Sequence, residues 1–214
     1  LLLYFDPNLR IIEIKLSFLD KNINSLNYSI IFTLFCIVVF INSFNMFDGI
    51  NLQASTYSFF LIIILIIYMN TSIFFIILLI FIISFKYLNF KNKTFLGDSG
   101  SLLISFIISY IFIKLYNENI INYSDDIFIY MLIPGIDMIR LFFVRILMNR
   151  SPFSDDRMHI HHLLLSKLTY SKSLIVINLL ILFPISLKYF VDGNVFIILL
   201  TITCYSGIII KIKN

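Results

Sequence analysis

The sequence predicts an all-α membrane protein, a polytopic bundle of about seven transmembrane helices. Hydrophobic residues make up 60% of the 214 residues and charged residues only 13%, about half the charged share of a soluble domain. The mean hydropathy of +0.98 is higher than a soluble core of this size can bury. This composition excludes an ordinary globular domain, a disordered tail and a nucleic-acid-binding module, so membrane lipid is the expected environment.

Seven continuous apolar runs approach the roughly 20 residues that a membrane-spanning helix needs. Backbone exposed to lipid must satisfy its own hydrogen bonds, and the runs do not alternate every second residue as barrel strands do. Each run is therefore predicted to be a helix. The runs are 28–46, 52–69, 71–88, 101–115, 127–148, 173–191 and 195–212.

Local features of the runs predict how they are connected. The second and third are separated by little more than Asn70, which indicates a tight hairpin, and the fourth is short. In the fifth, Pro134 and Gly135 favour a kink. Asp137 and Arg140 follow three residues apart, and we interpret them as an intrahelical ion pair facing the bundle rather than as catalytic residues.

The distribution of basic residues predicts the orientation of the bundle. Ten Lys or Arg residues lie near one set of connections and the C-terminal end, whereas only Lys114 and Lys188 lie near the opposite set. The positive-inside rule places the first set in the cytoplasm. Three basic residues before the first run are predicted to lie on the side of the membrane opposite the cytoplasm, and they weaken the charge asymmetry. They are Arg10, Lys15 and Lys21. The ten are Lys86, Lys91, Lys93, Arg145, Arg150, Arg157, Lys167, Lys172, Lys211 and Lys213.

Three polar segments carry candidate chemistry, and all three fall at predicted cytoplasmic ends. They are NSFNMFDGIN at 42–51, FLGDSGS at 95–101 and SPFSDDRMHIHH at 151–162. Because three independent segments share one face, they predict a single composite site at the boundary between membrane and cytosol.

The first segment presents Asn42, Asn45 and Asp48 at every third position, which places them on neighbouring positions of one helix face. Gly49 then allows the chain to turn. Ionisable groups at the end of a span are costly unless they pair, bind a ligand or face water. The alternative is a polar helix terminus that contacts lipid headgroups.

The second segment precedes a predicted helix, whose free N–H groups favour phosphate. Asp98 in this segment is a candidate ligand for a hard divalent cation that bridges phosphates. The alternative is helix capping by Asp98 or Ser99, which needs no substrate. GDSG also resembles the nucleophile segment of soluble serine proteases, but a chain of membrane spans cannot form their double barrel. An intramembrane hydrolase with Ser99 activated by a histidine is a separate competing hypothesis.

The third segment contains every histidine of the chain: His159, His161 and His162, following Arg157. Closely spaced histidines without Cys or Glu make a weak zinc site. A cationic, hydrogen-bonding patch for a diphosphate, with Arg157 as a fork donor, fits these residues better. The remaining alternative is a purely structural loop.

Taken in order, the three segments resemble those of the polyprenyl-phosphate N-acetylhexosamine-1-phosphate transferases over residues 28–172. The first is similar to the family's Asn-x-x-Asn-x-x-Asp-Gly and the second to its Phe-Met-Gly-Asp-x-Gly-Ser. The third, extended to SPFSDDRMHIHHLL, is similar to the Ser-Pro-Phe…Asp-Arg-x-His-Ile-His-His segment of the WecA branch and differs from that of the MraY branch.

The resemblance implies transfer of an amino-sugar-1-phosphate from a UDP-amino sugar to polyprenyl (undecaprenyl) phosphate, with release of UMP and the start of a cell-envelope polysaccharide. It implies Mg²⁺, or Mn²⁺, held by Asn45 and Asp98. It implies Asp48, Asp98 and His161 as catalytic residues. The substrate-binding residues that it implies are Asn42, Asn51, Arg157, His159 and His162.

Two departures from the family pattern qualify this reading. The family has an adjacent Asp pair on an earlier cytoplasmic loop, whereas Asp6 stands alone here. We therefore expect residues 1–214 to be a single integral membrane domain that lacks N-terminal helices, and an inactive lipid-phosphate-binding remnant is a further hypothesis. In Asn51-Leu52-Gln53, leucine replaces the second glycine of the family's Asp-Gly-x-Asn-Gly-Leu, which predicts an altered loop.

Overall fold

A computed structural model describes residues 2–69, 72–152, 154 and 157–213. The predicted turn at Asn70 and the acidic pair Asp155–Asp156 lie outside the described residues. Helices dominate, and one short antiparallel hairpin pairs β1 (Glu13–Ile14) with β2 (Ile23–Asn24). The described α-helices are α1 (Leu2–Phe5), α2 (Ser29–Phe47), α3 (Gln53–Tyr68), α4 (Ile73–Phe90), α5 (Gly97–Asn117), α6 (Ser124–Tyr130), α7 (Leu132–Leu147), α8 (Ile160–Lys167), α9 (Tyr170–Phe190) and α10 (Asn194–Lys213).

All seven apolar runs are helical, which confirms the all-α membrane bundle. Within the described residues, α2, α4, α5, α9 and α10 are long and apolar enough to cross a membrane, and α6 with α7 supplies a sixth candidate. Helix α3 is shorter, at 16 residues. Helix α5 begins at Gly97, four residues before the predicted run, so GDSGS forms its first turns rather than a loop before it.

The predicted kink in the fifth run is confirmed as an 80° bend between α6 and α7. Met131 lies at the break, and Pro134 follows in the first turn of α7. Proline has no backbone N–H to donate, so in the first turn of a helix it costs no intrahelical hydrogen bond. Beyond the bend, α7 packs mainly against α2 and also contacts α9.

Aromatic packing between α2 and α3 forms the centre of the core. Tyr57 stacks on Phe44, with ring centroids 5.5 Å apart, and meets Phe47 edge-on at 5.7 Å. The Tyr57 hydroxyl donates to the carbonyl of Tyr130 at 2.9 Å. Buried tyrosines need such a partner, and this bond ties α3 to the bend between α6 and α7.

The segments predicted to lie on the outer side of the membrane meet at one end of the bundle. They are the chain before the first run, the connection 116–126 and the connection 192–194. The backbone N–H of Lys15 donates to the Tyr116 hydroxyl at 2.7 Å, and that of Ser17 donates to the Asp125 carboxylate at 3.0 Å. Asn194 also donates to Asp125 at 2.9 Å. The three polar segments meet at the opposite end, as the loop parity predicted.

Candidate active site

The first two segments meet where the end of α2 contacts the start of α5. The Ser101 hydroxyl donates to Asn45 Oδ1 at 2.5 Å, and the backbone N–H of Gly97 donates to the Asp48 carboxylate. Burial raises the pKa of Asp48 to about 6, with the negative charge of Asp98 acting in the same direction and the Gly97 bond against it. The Asp48 carboxylate is therefore close enough to Asp98 and to the Gly97 amide for both to influence its pKa.

The third segment joins this cluster through His161, whose ring lies directly against Gly49. A Cβ atom built on Gly49 would lie 1.9 Å from His161 Nε2 and 2.1 Å from its Cε1. Only a residue without a side chain allows this approach. Gly49 is thus required for the contact as well as for the turn.

The pKa of His161 is lowered by burial, so within the predicted cationic and hydrogen-bonding patch this ring would act through hydrogen bonds, and positive charge would come from Arg157. The side chain of His161 is buried, at 2% exposure, and its Nδ1 has no hydrogen-bond partner among the described residues. Burial, together with the neighbouring His162 and His159, lowers the pKa of His161 to about 3. At neutral pH this imidazole is a hydrogen-bonding group without charge.

His159 and His162 flank His161. The rings of His159 and His161 are parallel, 5° apart in plane with centroids at 5.5 Å, and His162 contacts His161 at 4.3 Å. The predicted ion pair of Asp137 and Arg140 is confirmed at 2.7 Å. Asp137 also binds His159 Nδ1 at 2.9 Å, a link that no local sequence pattern indicates because 22 residues separate the two.

Asn51 links its own segment to the residues around Asn89 and Asn92 and to the start of α9. Its amide donates to Asn92 Oδ1 at 2.7 Å and accepts from Asn89 Nδ2 at 3.1 Å, and its carbonyl accepts from the Tyr170 hydroxyl at 2.5 Å. These bonds use the side chain that was predicted to bind substrate. Asn89, Asn92 and Tyr170 carried no sequence signal, since isolated polar residues beside a loop are common.

The altered loop keeps the backbone that a glycine would adopt. Leu52, which stands where the family has its second glycine, has φ of +69°. Its N–H donates to Asn89 Oδ1 at 2.6 Å. The contact with Asn89 holds Leu52 in the left-handed region. This backbone conformation costs a residue with a side chain roughly 1–2 kcal/mol. Leucine at this position therefore occupies a backbone conformation that glycine adopts without strain.

Two predicted binding residues lie at the margin of the cluster. Asn42 is exposed and donates to the carbonyl of Val38 in its own helix at 2.9 Å. Arg157 is exposed in the bend before α8. Within the part of the chain that the structure describes, no hydrogen bond joins the Asn42 side chain to Asn45 or Asp48, whereas Arg157 lies close to the histidines in sequence.

The alternatives for the second segment do not agree with the structure. No side chain caps the N-terminus of α5, so capping by Asp98 or Ser99 was wrong. Ser99 is exposed. Within the described residues, no histidine is hydrogen-bonded to its hydroxyl, so the geometry of an activated serine is not assembled there.

The donor atoms of the cluster fit a hard cation completed by a phosphate. Among the residues that the structure describes, no three His, Cys, Asp or Glu side chains are grouped to hold a metal alone. Mg²⁺ is commonly bound by one or two carboxylates, with water and substrate phosphates filling the other positions. The oxygen atoms of Asn45, Asp48 and Asp98 match that chemistry.

Comparison with known proteins points in one direction. The model of glycosyl transferase family 4 matches residues 1–116. Two of the relatives are undecaprenyl-phosphate α-N-acetylglucosaminyl 1-phosphate transferases. The one from Salmonella typhi is 30% identical over 145 residues, which cover 62% of this chain. The one from Yersinia pestis is 33% identical over 150 residues, which cover 64% of this chain. The matched stretches span 40% and 41% of those relatives. No solved structure gives a significant match.

Proposed function

This chain belongs to glycosyl transferase family 4, and from that membership we propose that the protein transfers N-acetylglucosamine-1-phosphate, or a related amino-sugar-1-phosphate, from a UDP-sugar to undecaprenyl phosphate. UMP would leave, and the lipid product would start a cell-envelope polysaccharide. One observation carries the proposal: segments around Asp48, Asp98 and His161, far apart in sequence, converge at one end of the bundle. The names of the matched relatives support the acceptor and the sugar.

The cluster suits phosphoryl transfer, which depends mainly on positioning and on neutralising charge. Asn45 and Asp98 would hold Mg²⁺, or Mn²⁺, which would offset the negative charge of the donor diphosphate. Asp48, held by the N–H of Gly97, would line the reacting phosphate. His161 is buried and uncharged, so it would position a phosphate oxygen by hydrogen bonding.

The more exposed residues of the third segment would bind the outer part of the donor. Arg157 carries a planar group that matches phosphate oxygens with two parallel bonds. His162 lies against His161 and would extend this surface. We place the site on the cytoplasmic face of a bacterial inner membrane, where a water-soluble UDP-sugar meets a lipid acceptor.

The test is UMP release from membranes that contain the protein expressed from its complete gene. Undecaprenyl phosphate, Mg²⁺ and a panel of UDP-amino sugars are supplied, with UDP-N-acetylglucosamine first. We expect release that requires lipid and metal. Asp98→Asn should abolish it, whereas Asp20→Asn, an exposed carboxylate at the other end of the bundle, should not.

Full activity of the Asp98→Asn protein would contradict the proposed metal site. Binding of undecaprenyl phosphate without UMP release from any donor would instead favour a lipid-phosphate-binding protein with no transferase activity. Activity that survives chelation but is lost in Ser99→Ala would favour the hydrolase.

A further inference from the structure

A buried polar network lies beneath the third segment, outside the cluster of candidate catalytic residues. At its centre is Asp137 of α7, which is 2% exposed. Its Oδ1 accepts from Arg140 at 2.7 Å and from the Tyr205 hydroxyl at 2.5 Å. Its Oδ2 accepts from His159 at 2.9 Å, and the N–H of Ile160 lies 3.3 Å from Oδ1. Four donors from three helices and a loop thus converge on one carboxylate.

We propose that Asp137, assisted by Arg140 and Tyr205, is the positioning residue of the histidine segment: it sets the ring of His159 and, through that ring, the place of His161 against Gly49. The role in catalysis rests on the proposed function. The contacts themselves do not, so the two can be tested separately.

The backbone on both sides of His159 is held by the same network. Arg140 Nη2 donates to the carbonyl of Met158 at 2.6 Å, and the N–H of Ile160 points to Asp137. A loop fixed before and after one residue leaves that residue few backbone conformations. The start of α8, which carries His161 and His162, is therefore tied to α7 inside the bundle.

The network also determines which nitrogen of His159 carries a proton. The positive charge of Arg140 and the Tyr205 hydroxyl stabilise Asp137 as a carboxylate, which can only accept hydrogen bonds. The Nδ1 atom of His159 must then be the donor. In the neutral ring, Nε2 then carries no proton and can accept a hydrogen bond on the side away from Asp137. Carboxylates orient histidines in this way in other sites.

The orientation passes from His159 to His161 by ring contact. The two rings are parallel, and His161 is enclosed between this neighbour and Gly49, so it cannot shift without displacing one of them. A tilt of the His159 ring would therefore change where His161 meets a phosphate oxygen. Displacement of a reacting or binding group by about 1 Å can lower a rate by about 10²-fold.

A purely structural ion pair makes a different prediction. Loss of a buried charge partner would destabilise the bundle, but each folded molecule would keep its turnover and its histidine protonation. Two properties of the folded protein therefore distinguish the roles: the kinetic constants per folded molecule and the ring nitrogen signals of the histidines.

The chain favours a nitrogen-15 NMR experiment because all three of its histidines lie in this segment. Histidine-labelled protein in detergent or lipid should show one ring protonated and hydrogen-bonded at Nδ1, assigned to His159 by its loss in His159→Gln. In Asp137→Asn this signal should change. In the transferase assay, kcat should fall about 10²-fold, since a displaced His161 would hold the reacting phosphate oxygen less well in the transition state.

Asp125→Asn is the matched control, because Asp125 is also buried, at 4% exposure, and also accepts several hydrogen bonds. It lies at the opposite end of the bundle, so it should lower stability and leave both the histidine signals and kcat unchanged. If Asp137→Asn does not fold, Tyr205→Phe removes a single hydroxyl and should lower kcat on the order of tenfold.

Two results would overturn the proposal. One is wild-type protein with no histidine protonated and hydrogen-bonded at Nδ1. The other is folded Asp137→Asn with unchanged ring signals and kcat. Wild-type protein that shows the predicted His159 signal but releases no UMP would contradict the proposed function and leave the positioning contact standing.

Discussion

Replacing Gly49 by alanine should displace His161 and so test whether the first and third segments form one site. The new methyl carbon would lie 1.9, 2.1 and 2.5 Å from three atoms of the imidazole, whereas ordinary contact begins at 3.4 Å. The ring must therefore move by about 1.5 Å, or the turn must open by as much. Gly49 does not have the positive φ of Gly97 or Gly193, so alanine brings no backbone penalty and the effect comes from the ring.

The cost follows from how tightly His161 is held. Its ring is buried and packed against those of His159 and His162. Overpacking of this kind lowers the free energy of unfolding by about 1–3 kcal/mol. A misplacement of about 1 Å should in addition reduce transferase activity by about 10²-fold.

The assay is the thermal unfolding of purified protein, followed by UMP release per folded molecule. Gly207→Ala is the matched control, since a Cβ atom at Gly207 in α10 meets nothing within 4 Å. It should be neutral or stabilising by up to about 1 kcal/mol.

The double variant Gly49→Ala/His161→Ala gives the sharpest test. Without the ring the added methyl group has nothing to strike, so the double variant should be no less stable than His161→Ala alone. Stability and activity of Gly49→Ala equal to wild type would refute the reasoning, as would fully additive losses in the double variant.

Two further predictions concern the loop that lies beside the site. Leu52→Gly should raise the free energy of unfolding by about 1 kcal/mol, because glycine adopts the φ of +69° without the penalty of a side chain; a lower thermal midpoint would show that leucine packing outweighs the strain. Asn89→Ala should lower the free energy of unfolding by about 1–3 kcal/mol, since the amide of Asn89 bonds to the N–H of Leu52, to Asn51 and to the carbonyl of Thr94. In the same chemical or thermal unfolding series, Asn42→Ala, at an exposed amide, should stay within about 0.5 kcal/mol of wild type, and an equal effect of the two changes would contradict the anchoring role.

Much of the architecture follows from the sequence because lipid restricts the options of the backbone. An apolar run of about 20 residues must form a helix, so all seven runs could be predicted. The order of spans and loops then assigns each polar segment to one end. The sequence therefore predicts that Asp48, Gly97, Gly49 and His161 lie at the same end of the bundle. It does not predict the contacts of Asp48 with Gly97 or of Gly49 with His161.

The start of α5 and the bend before α7 were only partly predictable. Gly97 opens its helix with φ of +62°, and the hydropathy pattern does not register that small polar residues such as GDSGS can form the first turns. The resemblance to a transferase family identified the candidate site residues, whereas the hydrogen bonds that Asn42 makes within its helix and Asn51 makes to Asn89 and Asn92 are visible only in the fold.

The tertiary structure alone decided which of these groups are charged, buried and held in place. Asp137 reaches His159 and Tyr205 across 22 and 68 residues of chain, and no local pattern encodes such a pairing. His161 is neutral because it is enclosed, and enclosure depends on how helices pack. Hydropathy and spacing determine what each segment can form, whereas the protonation and orientation of a side chain depend on neighbours that only folding brings near.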